Sequence, residues 1–330
     1  MNNLTFPILR LLADGHFQSG EAIARHFGVT RATVWNALQE AEAVGVQLFS
    51  VRGRGYRLPQ PITLLEHDSV LAAIGEQRSW FTLEVHDYLE STNGYLVKQA
   101  AAGAAHATCV AASLQTKGRG RRGRVWQAGL GASLTFSLLW RFQTGAAALS
   151  GLSLAVGVAI IRALHALGLP QAKLKWPNDI LVHMQKMAGI LIELQGDMEG
   201  PSAAVIGIGI NLRLPEHLRR NIDQPATDLQ HELKQAPNPN LLLGVLLKNL
   251  ADVLSEFERN GFEALREEWL QHHAFQNQAV RLLLPDGRET QGVISSIAAD
   301  GVLLVETAAG LQRFSAGEIS LRGVTQDKLP

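Results

Sequence analysis

The stretch GASLTFSLLW, residues 131–140, decides the class of fold. Leu134, Phe136 and Leu138 alternate with Ser133, Thr135 and Ser137, and a period of two marks a strand with one apolar and one polar face. The expectation is a half-buried strand. Helical patterns surround it at 93–102, 146–168 and 240–259, while AGILIELQ and AAVIGIGINL are continuously apolar and read as buried strands. Strands interleaved with helices over 64–273 predict a central domain of α+β or α/β type.

Outward toward the N-terminus, residues 1–63 predict a separate unit. Pro7 begins an apolar-periodic helix that ends near Asp14 and Gly15. Ser19 caps a second helix containing Ile23 and Phe27, which Gly28 terminates, and Thr30 caps a third, RATVWNALQEAEAVG, with Val34, Leu38 and Ala41 on one face. The short turn that joins helices two and three has helix-turn-helix spacing. VQLFS and YRLP then form a strand pair around VRGRG, and Pro59 and Pro61 bracket a boundary. Six arginines stand against four carboxylates in the first 60 residues. Helix three is therefore expected in a DNA major groove, with Thr30, Arg31, Thr33 and Asn36 near phosphates or base edges, while Arg52 and Arg54 in the wing grip the backbone. A helical bundle used for protein contacts is the alternative.

Outward toward the C-terminus, residues 274–330 change character. AVRLLL, TQGVISSIA, GVLLVET and LQRFSAGEI are short strands separated by Pro285-Asp286-Gly287, Asp300-Gly301 and Ala309-Gly310, which predicts a small all-β barrel.

A chain of 330 residues with 46% hydrophobic content buries more than one core. The single cysteine, Cys109, excludes an internal disulfide framework and fits a reducing compartment, so a cytoplasmic protein is expected. The N-terminus lacks the pattern of a signal peptide, and the longest apolar stretch, 149–169, is broken by Ser150, Ser153, Arg162 and His165, so no membrane role is expected. Formal net charge is zero, which removes any global field and leaves local charge to decide.

Five motifs concentrate chemistry. In QTKGRGRRGRVW (115–126) three glycines let the backbone approach an anion, and Arg119, Arg121, Arg122 and Arg124 supply fixed cationic forks. Four like charges on a glycine-rich loop resist ordering until an anion arrives. No Lys-Ser or Lys-Thr follows the glycines, so the stretch is not a Walker A loop. KWPNDI (175–180) holds Asn178 and Asp179 at a strand entrance behind a proline. Lys186 sits at the mouth of the buried strand AGILIE, where its stem packs while its charge meets a phosphate. Asn211 closes GIGIN (207–211), where small residues leave room beside it. In ESTN (90–93), Ser91 or Thr92 caps the next helix, whose first amides attract anionic or polar groups. Each motif alone has an ordinary reading as a solvated loop, a turn, a strand-end lysine or a helix cap.

Together, in this order and at these spacings, the five motifs resemble those of the bacterial biotin protein ligases. The N-terminal and C-terminal units extend the likeness over nearly the whole chain, toward the members that join biotin ligase and biotin operon repressor. The resemblance implies an α+β protein with a winged helix-turn-helix, a central mixed sheet like that of the class II synthetases, and an SH3-like tail. It implies that biotin attacks the α-phosphorus of ATP, with Mg2+ as counter-ion, and that the adenylate passes biotin to a lysine of the biotin carboxyl carrier protein of acetyl-CoA carboxylase. Ser91, Thr92, Asn93, Gln115 and Gly189 are then expected around the biotin head group, with Arg119, Gly120 and Arg121 closing over it. Lys186 would bridge carboxylate and α-phosphate, Arg121 and Arg124 would balance phosphate charge, Trp126 would cover adenine beside Asn178 and Asn211, and Asp179 would meet the acceptor lysine. Lys186, Arg121 and Asp179 are the expected catalytic set, and no side chain is assigned to a metal. Binding of biotin operator DNA by a ligand-induced homodimer is implied as well. A ligase with a silent DNA-binding domain, or a regulator that only senses biotin, remains open at this point.

Overall fold

The computed structural model describes residues 2–196, 199–235, 238–284, 287–315 and 320–323. Its first three helices are α1 (Thr5–Leu11), α2 (Gly20–Phe27) and α3 (Arg31–Ala43). Pro7 lies inside the first turn of α1 rather than at its start, a position where the missing N–H has no intrahelical partner to lose. Ser19 accepts a hydrogen bond from the Ala22 amide at 3.0 Å, Gly28 ends α2 with φ 66°, and Thr30 caps α3 by accepting from the Thr33 amide at 3.2 Å. Strands β1 (Phe49–Val51) and β2 (Gly55–Arg57) form the antiparallel wing, and β2 also bridges Gln18 through Tyr56. A Cβ on Gly55, whose φ is 100°, would stand 2.0 Å from the Gln18 carbonyl oxygen, so only glycine lets the wing close there.

The chain continues through α4 (His67–Ile74), β3 (Thr82–Leu89), α5 (Thr92–Ala101), β4 (Thr108–Gln115), β5 (Ser133–Phe142), α6 (Leu152–Ala166), β6 (Lys173–Lys175), β7 (Asp179–Val182), β8 (Gln185–Gly196), β9 (Ser202–Asn211), α7 (Glu216–Arg219), α8 (Leu229–Leu233), α9 (Pro239–Asn260) and α10 (Glu263–Gln271). Seven of these strands make one mixed sheet in the order β3-β4-β5-β9-β8-β7-β6, parallel only between β3 and β4, where α5 is the crossover. Side-chain alternation divides the sheet cleanly. Phe136, Leu138, Ile206, Ile208, Ala188 and Ile190 join the main core with α6 and α9. The opposite face carries Thr135 and Ser137 of β5, Gly207, Gly209 and Asn211 of β9, and Gly189, Leu191 and Glu193 of β8. β5 was expected to be half-buried, yet both of its faces are covered, because α5 and the 115–126 segment roof the polar one.

The N-terminal core runs into this roof. Leu114 is buried with Ile8, Leu9, Leu12 and Leu38, Leu130 packs against them, and Arg10 pairs with Asp87 of β3.

Strands β10 (Ala279–Leu283), β11 (Glu289–Ile297), β12 (Leu303–Thr307), β13 (Gly310–Phe314) and β14 (Ser320–Gly323) form an antiparallel sheet in the order β13-β12-β11-β10-β14. Where a small barrel was expected, no pairing among the described residues joins the two edge strands. Pro285 and Asp286 of the first expected turn, and Ala316 to Ile319 of the last expected strand, lie outside the described residues. The sheet is fastened to the central domain by Trp176, whose indole donates to the Gly301 carbonyl at 3.1 Å, and by Ser150, which donates to the Asp300 carbonyl.

His273, at this junction, is 4% exposed and stacks 4.6 Å from Trp269. Burial pushes its pKa down to about 4, against a weaker opposing pull from Gln276. As pH falls below about 6.5 the unfolded chain gains a proton that the native chain refuses until about 4, so stability is lost across that window, by about 3 kcal/mol in full. Above it there is no effect. Denaturant titrations at pH 7.5 and 5.0 should show a smaller acid loss for His273→Gln than for the parent chain; an equal loss would assign the acid sensitivity elsewhere.

Candidate active site

The polar face of the sheet opens into a cavity of about 380 Å³. Its floor is glycine. A Cβ on Gly209 would meet the Trp126 ring at 2.4 Å, one on Gly207 would meet Asn93 Oδ1 at 2.1 Å, and one on Gly189 would touch both Lys186 and Trp126 at 3.2 Å. These three positions lie side by side on β9 and β8, so their missing side chains create the depth of the site.

One end of the cavity is built on the start of α5. Ser91 caps the helix by accepting from the Gly94 amide at 3.3 Å, and Gln115 Oε1 accepts from the Thr92 amide at 2.7 Å. Ser137 donates within reach of Thr92 Oγ1 at 2.8 Å and of Asn93 Oδ1 at 2.5 Å, while Asn93 Nδ2 donates to Glu193 at 3.0 Å. Of the two residues expected as candidates for the cap, Ser91 takes the position and Thr92 opens the helix, within a wider polar network.

The other end is ionic. Lys186 Nζ lies 2.6 Å from Asp179 Oδ1, and Lys175 Nζ lies 3.9 Å from Asp179 Oδ2, all three side chains being less than one-fifth exposed. The Lys186 backbone is pinned on both sides: its amide donates to Pro225, and its carbonyl accepts from Thr227 and from Asn211 Nδ2. Asn211, 3% exposed, gives its second amide hydrogen to the Thr227 carbonyl, so its side chain positions the lysine strand. Its amide nitrogen is spent on backbone.

Residues 118–126 fold as a hairpin over the cavity, closed by Gly120 N–H to Arg124 O at 2.8 Å and Trp126 N–H to Gly118 O at 3.0 Å. Arg122 takes a left-handed φ of 58° at the tip. Arg121 donates to Asn178 Oδ1 at 2.9 Å, and Asn178 is oriented in turn by donating to the Ile190 carbonyl. Burial holds the Arg121 guanidinium below its ordinary pKa, aided by Arg122 and Arg124 and opposed by Asp179. A partly dehydrated cation of this kind gains most from an incoming anion. Trp126 rests on Gly209 with Lys186 Nζ 5.7 Å from its ring, and its indole N–H has no partner among the described residues. Arg119 forks onto Glu193.

All the central residues that the sequence singled out, including Arg124 and Gly120, line this one cavity. One that it did not single out, Lys175, also lines it, facing Asp179 across the β6–β7 turn; Glu193, in phase with Gly189 and Leu191 along β8, stands outside the lining, paired with Arg119 and Asn93. Among the described residues no three His, Cys, Asp or Glu are grouped as a metal site, and burial pushes the Cys109 thiol up, away from reactive thiolate.

The six residues expected to meet DNA lie on the N-terminal unit and none lines the cavity. Thr30, Arg31, Asn36, Arg52 and Arg54 are exposed, and Thr30 shares a hydrogen bond of 2.9 Å with Thr33 at the cap of α3. Trp35, 53% exposed on α3, extends that outward face and had no place in the sequence reading. Among the described residues no helix is long and apolar enough to cross a membrane.

Comparison with known proteins agrees with this organisation. Residues 85–211 match the Biotin/lipoate A/B protein ligase family, residues 5–57 an HTH domain, and residues 275–322 the Biotin protein ligase C terminal domain. The chain is 36% identical over 324 residues to the Bifunctional ligase/repressor BirA of Salmonella typhimurium, covering 98% of this chain and 99% of that protein. It is 33% identical to the Biotin--[acetyl-CoA-carboxylase] ligase of Paracoccus denitrificans, over 71% of this chain and 98% of the relative. Among solved structures, the Aquifex aeolicus biotin protein ligase in complex with biotin and ATP superposes with a TM-score of 0.64 at 27% identity, covering 74% of this chain and 99% of that one. With the three matched segments in the same order and a bifunctional relative aligned end to end, this chain belongs to the biotin protein ligase family, in its ligase/repressor form.

Proposed function

We propose that the chain joins biotin to ATP, forming biotinyl-5'-AMP and pyrophosphate, and then transfers biotin to a lysine of the biotin carboxyl carrier protein of acetyl-CoA carboxylase. The observation that carries this reading is the convergence of Lys186 and Arg121 on one glycine-floored cavity around Asp179. In the first step a biotin carboxylate oxygen bonds to the α-phosphorus and pyrophosphate leaves; in the second the acceptor amine attacks the acyl carbon and AMP leaves. Both steps build negative charge, which cations fixed in a dehydrated site stabilise best.

Ser91, Thr92, Asn93 and Gln115 offer the paired donors and acceptors that the biotin ureido ring needs, and Gly189 leaves it room. Lys186 spans biotin carboxylate and α-phosphate. Arg121 and Arg124 balance the phosphates. Trp126 supplies an adenine surface, with Asn178 steering Arg121 and Asn211 fixing the Lys186 strand. Asp179 accepts a hydrogen bond from the incoming acceptor amine once Lys186 has turned to phosphate. Gly120 and Arg119 let the hairpin close over the ligand. Magnesium would come with the triphosphate as MgATP and offset its charge.

The reading extends to regulation in the cytoplasm, with units 1–63, 64–273 and 274–330 acting as operator-binding, catalytic and accessory parts. Adenylate would favour a homodimer whose two winged helices meet two half-sites of biotin operator DNA through Thr30, Arg31, Thr33, Asn36, Arg52 and Arg54. The decisive experiment is biotin-dependent exchange of labelled pyrophosphate into ATP; exchange is expected, and its absence would reduce the chain to a biotin sensor. A gel shift on DNA upstream of biotin synthesis genes should appear with biotinyl-5'-AMP and weaken without it. Absence of a shift in both states would leave a ligase with a silent helix-turn-helix.

A further inference from the structure

The hairpin leaves the sheet from β4, and two strands, β5 and β9, separate β4 from β8. A hairpin side chain that reaches β8 has therefore crossed three strand spacings, about 14 Å. Arg119 makes this crossing. Its two terminal nitrogens donate to the two carboxylate oxygens of Glu193 at 3.0 and 2.8 Å, a fork-to-fork pair. Glu193 is itself held in place, because Asn93 Nδ2 donates to it at 3.0 Å and Asn93 is fixed by Ser137 and by the Leu191 carbonyl. Arg121 crosses the sheet as well, donating to Asn178 Oδ1 at 2.9 Å, but onto a neutral amide, while the ion pair of Lys117 with Glu90 is highly exposed and stays at the hairpin's base beside β3.

Four arginines on a glycine-rich turn repel one another until an anion offsets them. In this chain an anion is built in. We propose that Glu193 is a positioning residue, a clasp that takes the Arg119 fork and holds the hairpin shut across the sheet, so that this pair governs how firmly biotin is retained. The inference rests on the biotin ligase reading of the cavity. Side-chain exposures of 49% for Arg119 and 26% for Glu193 place the pair between the weak surface bridge and the costly buried one. That is the range in which a contact both holds and opens.

The test uses the full-length chain with Glu193→Gln, which keeps an oxygen for Asn93 but removes the charge and one of the two acceptors. Two results are expected. Trypsin should cut within 119–124 about tenfold faster in the absence of ligands, the ratio that corresponds to about 1.4 kcal/mol. The KM for biotin in pyrophosphate exchange should rise by about the same factor while kcat holds, since the clasp affects retention and not the reacting atoms. Unchanged cleavage together with unchanged KM overturns the proposal. So does a fall in kcat at constant KM, which would place Glu193 at the chemistry. Should Glu193→Gln not fold, Arg119→Lys removes the fork from the other side and should raise cleavage in the same way. If the parent chain shows no exchange at all, the ligase reading fails, and the trypsin comparison still decides the clasp.

Discussion

Lys186→Ala lowers the rate of biotin-dependent pyrophosphate exchange by roughly 10²- to 10³-fold, or about 3 to 4 kcal/mol of transition-state stabilisation. The expectation follows from how the side chain is held. Its backbone is tied to Pro225 and Thr227 on one side and paired with Leu181 on the other, so its Cα has little freedom. Gly189 and Trp126 wall the stem, and the ammonium is aimed at Asp179 at 2.6 Å. With backbone and stem fixed before the substrate arrives, only the ammonium has to turn from Asp179 when charge develops on phosphorus. Removing it leaves Asp179 with Lys175 at 3.9 Å and the Arg121 charge, a largely buried carboxylate with weaker compensation, so some loss of stability should accompany the loss of rate. Lys186→Gln keeps the stem and separates the two effects. If that variant retains full exchange in a chain of normal denaturation midpoint, the lysine is a strand-end charge and nothing more.

The second large effect is expected at Gly207, which contacts no expected ligand group of its own. Gly207→Ala sets a methyl group 2.1 Å from Asn93 Oδ1 and 2.7 Å from its Cγ, where the strand is fully buried and paired on both sides. Neither β5 nor β8 can yield without breaking ladder hydrogen bonds, so the Asn93 amide must give way, losing its bonds to Ser137 and Glu193. The cost in stability should be about 1 to 3 kcal/mol, typical of overpacking. The functional loss should exceed it, because Asn93, Ser137 and Thr92 share one network at the end of the cavity assigned to biotin. Biotin affinity by calorimetry should fall at least about tenfold, a shift of 1.4 kcal/mol. Normal biotin binding by a folded Gly207→Ala chain would move the head-group site away from α5.

Much of the frame was legible because it depends on local rules. Ser19 and Thr30 cap the helices they were expected to cap, and Ser91 rather than Thr92 caps α5, since the donors they satisfy lie three residues away. The alternation of β5 was read correctly face by face, and GIGIN aligned Gly207, Gly209 and Asn211 on one side as period two requires. β3 and β4 escaped the reading. β4 is buried at all eight positions, so its sequence TCVAASLQ shows no alternation, and its parallel partner is made only through the α5 crossover. Lys175 and Glu193 escaped for a related reason: a charged residue within an apolar strand gives no sign of its partner.

By itself the sequence determined the three-part organisation, the helix caps, the faces of the central strands, and the short list of residues able to handle an anion. Those properties depend on neighbours within a few positions, where spacing and side-chain type suffice. Only the tertiary structure decided that β8 and β9 lie between the hairpin and the KWPND turn, which brings Arg119 to Glu193, Arg121 to Asn178 and Lys186 to Asp179. It also decided that Asn211 and Asn178 spend their amides on positioning. Strand order and long-range ion pairs are set by how a whole core closes, and no local pattern along a chain encodes which distant carboxylate a given arginine will find.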